Sequence, residues 1–144
     1  MSCGWCNRKA ALLCSKCKMV NYCCREHQIK HFKVHKTQCE DCVKAEERLV
    51  KEESKLRSRT GNHFKVSHGH FWRVLETRDF MRAKSSMIKV LEIIGSRLSL
   101  NAASGHVLNC LDLCRGDNMG LRDLLPSFLL CLGRDQECYD FLKW

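Results

Sequence analysis

The stretch YCCREHQIKHFKVHKTQC, residues 22–39, decides how the chain is read. It contains three cysteines and three histidines, lacks Gly and Pro, and over 24–36 is rich enough in helix formers to predict a helix. Side chains four residues apart share a helix face, and Cys23/His27 and His35/Cys39 are two such pairs. Cys23 and Cys39 are sixteen residues apart, about 24 Å along a helix. A thiolate binds zinc at only ~2.3 Å, so the two pairs must serve different ions.

The partners of these pairs lie just upstream. Cys3/Cys6 and Cys14/Cys17 are two Cys-x-x-Cys pairs, and two intervening residues let one tight turn aim both sulfurs at one ion. Together they give eight ligands, enough for two closed tetrahedral zinc sites. Two pairings satisfy the spacing. A sequential one places Cys3, Cys6, Cys14 and Cys17 on one ion. An interleaved one places Cys3, Cys6, Cys23 and His27 on the first and Cys14, Cys17, His35 and Cys39 on the second. Interleaving ties the upstream segment to the helix twice and closes longer loops, and is the arrangement favoured. AALLCSKC and KMVNYC read as the strands of a short hairpin with the second Cys-x-x-Cys at its turn.

Cys24 and His31 are read as bystanders. Cys24 is turned about 100° from Cys23 around a helix, and His31 shares the face of His27 and His35 without being needed by either site. HQIKH, residues 27–31, has the histidine spacing of a zinc protease, but that chemistry needs a Glu after the first His, and Gln28 cannot act as a base.

The string CSKCKMVNYCCREHQIKHFKVHKTQC, with Cys3 and Cys6 before it, resembles the MYND-type zinc finger. The match rests on Cys3, Cys6, Cys14, Cys17, Tyr22-Cys23, Gln28, His35 and Cys39, and covers about a quarter of the chain. His27 stands where the family usually has Cys, and Phe32 where it usually has Trp. The resemblance implies interleaved binding of two zincs and a role in protein–protein contact, often with short proline-containing peptides.

The remainder of the 144 residues frames this finger. Eight of the twelve cysteines fall within residues 1–42, which favours a metal site over a disulfide framework. Residues 1–39 form the finger, too short to fold without a metal staple. Residues 40–60 carry six acids and six basic residues, with Cys42, Ala45, Leu49 and Leu56 on one face, and predict a charged linker helix ending at Thr60-Gly61-Asn62. Residues 61–144 predict an all-α region. One helix within 70–94 stops at Gly95, and a second with a Val107/Leu108/Leu111/Cys114 stripe stops at Gly116. A third begins at Asp117 or Asn118 and stops at Gly133, with Pro126 either kinking it or marking a later start. A last helix carries Cys138, Phe141 and Leu142 on one side. The late cysteines, Cys110, Cys114, Cys131 and Cys138, are read as small apolar residues on helix faces, and His63, His68 and His70 as structural or exposed. The segment from Leu108 onward resembles tetratricopeptide-like repeats, and its end at Trp144 suggests an array cut short. The expected architecture is a small two-zinc ββα finger with interleaved ligands, joined by a helix to an all-α, repeat-like region.

The sequence lacks an apolar run long enough to span a membrane and a signal-peptide core, so a reducing, intracellular location is expected, nucleus or cytosol. The net charge is +9. The finger's formal +7 falls to about +5 once six thiolates and two Zn²⁺ are counted. The expectation is a non-enzymatic adaptor that holds two zincs and takes a proline-containing or acidic peptide. The other readings are a non-catalytic fragment of a larger methyltransferase-like enzyme and a basic nucleic-acid-binding finger.

Overall fold

A computed structural model describes residues 2–143. The N-terminal segment is a small hairpin, β1 (Leu12–Leu13) against β2 (Asn21–Tyr22), antiparallel, with Leu12 opposite Tyr22 and Leu13 opposite Asn21. It leans on a 33-residue helix, α1 (Arg25–Arg57). Then follow α2 (His63–Val66), α3 (Arg78–Ile94), α4 (Arg97–Leu113), α5 (Leu125–Cys131) and α6 (Asp135–Lys143). Packing proceeds in order: α1 on α3, α3 on α4, α4 on α5, and α5 on α6. Among the described residues, no helix is long and apolar enough to cross a membrane.

The finger helix and the charged helix expected at 40–60 are one uninterrupted rod. Nothing between residues 36 and 42 breaks it, because no Gly or Pro occurs there and the buried side chains keep helical spacing. His35, Cys39, Cys42, Ala45, Leu49 and Leu56 are all buried along one stripe. The upper part of this stripe faces the hairpin and the lower part packs on α3.

Beyond α1 the sequence reading needs four corrections. The pattern from residue 70 onward becomes α-helix only at Arg78. Before it, two short 3₁₀ turns, Phe71–Arg73 and Leu75–Thr77, bury Phe71 in an aromatic cluster with Phe64 and Phe80, at centroid distances of 5.3 to 6.3 Å. The Thr77 hydroxyl donates to the carbonyls of Phe71 and Val74 and holds these turns in place. On α4 the buried stripe is Ala103, Val107, Cys110 and Leu113, and Leu108 is exposed. The face that packs inward is therefore rotated from the one the Leu108/Leu111 spacing suggested. The helix ends at Leu113, before Gly116. The third helix does not start at Asp117. The Asp117 carboxylate instead accepts from the N–H groups of Leu121 (2.8 Å) and Arg122 (2.9 Å), and α5 begins at Leu125 with Pro126 in its first turn. That is where a residue lacking an N–H costs least. Finally, Cys131 and Leu142 are exposed, whereas Cys110, Cys114 and Cys138 are buried.

Gly95 does end α3 in the left-handed region, φ 63°, and the chain turns at once into α4. Ser96 caps α4 by accepting from the Ser99 N–H at 3.0 Å, and its hydroxyl donates to the Met19 carbonyl. One serine therefore starts a helix and ties the α3–α4 corner to the hairpin turn. At the other end of α1, the Arg57 guanidinium lies 4.3 Å from the centroid of the Phe64 ring.

The α3 residues Ile88 and Ile93 provide a test of this packing, since one is fully buried and the other 66% exposed. Ile88→Ala is expected to destabilise the protein by about 2–5 kcal/mol and Ile93→Ala by well under about 1 kcal/mol in urea unfolding. Similar losses at the two positions would contradict the orientation of α3.

Candidate metal centre

Two turns of the same construction open the site. In the first, Asn7 N–H donates to the Cys3 carbonyl at 3.0 Å. In the second, Lys18 N–H donates to the Cys14 carbonyl at 3.0 Å. Both Asn7 and Lys18 have φ of 58°, the left-handed conformation that lets the chain turn away immediately after a Cys-x-x-Cys. Sequence reading did not single out either residue. Asn suits that conformation, which is the one signal that was available, and Lys does not.

Backbone hydrogen bonds fix both turns to the hairpin. Cys14 N–H donates to the Val20 carbonyl at 2.9 Å, and Gly4 N–H to the Asn21 carbonyl at 2.8 Å. Gly4 lies so close to the hairpin that a Cβ there would sit 2.6 Å from Val20 Cγ1. The first Cys-x-x-Cys is thereby held against β2, which leads directly into Cys23. The second lies at the hairpin turn, facing the next two turns of α1.

The ligand atoms gather in two groups. Those of Cys3, Cys6, Cys23 and His27 all lie within 4.8 Å of one another, and so do those of Cys14, Cys17, His35 and Cys39. In the first group Cys6 Sγ is 3.6 Å from Cys23 Sγ, and Cys23 Sγ is 3.0 Å from His27 Nδ1. In the second, Cys14 Sγ is 3.8 Å from Cys39 Sγ, and Cys17 Sγ is 3.3 Å from His35 Nε2. These separations are far beyond the ~2.05 Å of a disulfide. A zinc tetrahedron with ~2.3 Å Zn–S bonds has S···S edges of about 3.8 Å. The cysteine pairs stand at the spacing that one shared ion requires, and each donor set is three thiols and one imidazole, a zinc set. The two Cys₃His-type sites are interleaved: each takes one Cys-x-x-Cys turn and one pair spaced i, i+4, but only His35/Cys39 lies wholly on the helix, since α1 starts at Arg25 and Cys23 stands on the extended segment before it.

The electrostatics point the same way. Burial pushes the Cys17 thiol up, and the charges of Cys14 and Cys39 push it further. Burial also raises Cys3, but the backbone N–H groups of Trp5, Cys23 and Cys6 outweigh it and bring this thiol down to about 6. Three thiolates cannot share such a space without a cation among them. Burial and the adjacent His31 lower His35, which keeps it a neutral imidazole able to bind metal.

His31 stands beside both sites. Its ring stacks on His35 at 5.5 Å and 8°, shares a 3.0 Å hydrogen bond between Nδ1 and the buried Tyr22 hydroxyl, and lies 6.5 Å from the Trp5 ring. It packs between His35, Tyr22 and the first turn at Gly4. Cys24 is the N-cap residue of α1, 3.9 Å from Cys23 Sγ and outside both groups. Of the later histidines, His68 Nε2 pairs with Asp112 Oδ2 at 2.9 Å, and none joins a ligand cluster among the described residues.

Residues 3–39 match the family described as the MYND finger. No solved structure matches the chain.

The two sites differ in burial: all four residues of the second are buried, but only Cys3 of the first. Metal analysis of the purified chain is expected to give two zincs, His27→Ala one, and His31→Ala two. A chelator is expected to remove the zinc of the Cys3/Cys6/Cys23/His27 group ahead of the other, giving two kinetic phases of release. A single zinc in the unaltered chain would overturn the two-site arrangement.

Proposed function

We propose that this chain, with a MYND finger at residues 3–39, is a non-enzymatic protein-interaction adaptor. Cys3, Cys6, Cys23 and His27 would hold one zinc, and Cys14, Cys17, His35 and Cys39 the other. Each ion supplies folding energy on the order of 10 kcal/mol or more. Each donor set is already complete at four, so an ion there keeps no position for a reactive water. This favours a structural role over a hydrolytic one. Thiols in such sites must remain reduced, which supports an intracellular setting.

The observation that carries the reading is a groove of about 230 Å³ between the hairpin turn and the start of α1. It is lined by Ser15, Arg25, Gln28, Ile29 and Phe32. Ile29 is 62% and Phe32 43% exposed, a large apolar pair at the start of α1. The likeness of residues 3–39 to MYND fingers implies a short proline-containing peptide as the partner. A polyproline-type strand suits this groove because it is pre-ordered and packs its rings on aromatic side chains, while Gln28 and Ser15 can bond its free carbonyls. Arg25 at the edge favours an acidic residue beside the prolines. Helices α3 to α6, each stacked on its predecessor, would serve as a repeat-like scaffold.

Titrating fluorescent proline-rich peptides into the zinc-loaded chain tests this. Phe32→Ala is expected to weaken binding about ten-fold or more and to leave the metal content at two zincs. Tight RNA or DNA binding with a steep salt dependence, and no peptide binding, would replace the adaptor reading with a nucleic-acid one.

A further inference from the structure

The helical region carries a second concave site that the finger reading leaves unused. A cavity of about 310 Å³ opens where the turn before α3 meets the turn after α4. Arg73, Arg78, Arg115, His70, Trp72 and Asn118 line it, and no carboxylate does. Helices α3 and α4 are 17 residues each, about 25 Å long. The cavity lies at the Arg78/Leu113 end of this pair. The Ser96 corner that touches the finger is at the other end.

The walls are tied together. Arg115 N–H donates to the Gly69 carbonyl at 3.1 Å, and His70 and Cys114 form an isolated antiparallel bridge. Gly69 has φ 81°, and a Cβ there would come within 3.4 Å of Arg115 Nε. The absent side chain lets Arg115 lie along the turn. Arg78 is held twice: its Nε donates to the Trp72 carbonyl at 2.9 Å, and its guanidinium sits 5.4 Å from the Trp72 ring centroid. None of the three arginines has an ion-pair partner among the described residues. Of the acids close by in sequence, Asp79 pairs with Arg82, Asp112 with His68, and Asp117 accepts from the N–H groups of Leu121 and Arg122, while Glu76 does not line the cavity.

Three guanidiniums around one cavity, with no compensating carboxylate, form an anion site. We propose that it binds a phosphomonoester, either a small phosphorylated metabolite or a phosphorylated side chain of a protein. A phosphate dianion offers three oxygens and about two charges, which three planar forks can meet with paired charge-assisted hydrogen bonds. A single carboxylate would leave more of the positive charge unanswered. The ordered Arg78 gives a fixed point of attachment, and exposed Arg73 and Arg115 close on the remaining oxygens.

The test is calorimetric titration of the full zinc-loaded chain with inorganic phosphate, acetate, ribose 5-phosphate and a short phosphoserine peptide. Saturable binding of phosphate and its esters, well above acetate, is expected. Arg73→Gln and Arg115→Gln should each weaken it about ten-fold. Lys89→Gln removes the same charge from the exposed face of α3 and should change it by no more than about two-fold. Arg73→Lys, which keeps the charge but loses the fork, should fall between. Tighter binding of the peptide assigns the site to a phosphorylated protein, and tighter binding of ribose 5-phosphate to a metabolite. Both uphold the phosphate site. Acetate binding as tightly as phosphate, equal losses in Lys89→Gln and the arginine variants, or no saturable binding would overturn it.

Discussion

The structure depends on the stiffness of one helix. Helix α1 carries three cluster residues, His27, His35 and Cys39, on the side that meets the hairpin, and continues the same stripe through Cys42, Ala45, Leu49 and Leu56 into the packing against α3. A helix held at two points about 18 Å apart, His27 Nδ1's residue and Cys39's being twelve residues from each other, can neither slide nor rotate. The metal sites therefore fix which face of α1 is presented to the helical region some turns later. On the scale of a domain whose net stability is about 5–15 kcal/mol, two ions of the strength typical for structural zinc dominate the balance. The finger supplies much of the order that the downstream helices then use.

The two sites are chemically alike and physically unlike. Each combines three thiols with one imidazole, so each ion would leave a net charge of about −1. A fourth cysteine in place of His27 would give −2. That imidazole also stands in the more open group, whereas the second group is fully buried under the hairpin. His31 bridges the difference: stacked on His35 and bonded to Tyr22, it links a ligand of the buried site to the strand that delivers Cys23.

What the sequence revealed follows from the range of each constraint. Metal ligation is short-ranged and stereochemically strict, so Cys-x-x-Cys and i, i+4 spacing determine which residues meet before any packing is known. Helix termini at Gly95 and the late start allowed by Pro126 are likewise local. The misread features are those decided by tertiary contact. Phe71 leaves the helical pattern because an aromatic cluster with Phe64 and Phe80 takes it in. Leu108 is exposed because α4 turns Ala103, Val107 and Cys110 into the core instead. The left-handed Lys18 is set by the turn around Cys14 and Cys17, against its own preference. The cavity at Arg73, Arg78 and Arg115 joins the segment that enters α3 with the one that leaves α4 and has no signature in either alone.

These parts give the molecule two ends. The Phe32 groove lies at the start of α1, and the last turn of α1 places Arg57 on Phe64, at the entry to the segment that forms the basic cavity. Helix α1 has 33 residues, about 50 Å of rise. Helix α3 returns alongside it and brings the Ser96 corner back to the hairpin turn, closing the frame at the finger. The Phe32 groove and the arginine-lined cavity on one such frame are held apart by helix packing and not by a flexible linker. The distance between them is set by the rise of α1, so it changes only if that helix or its packing on α3 does.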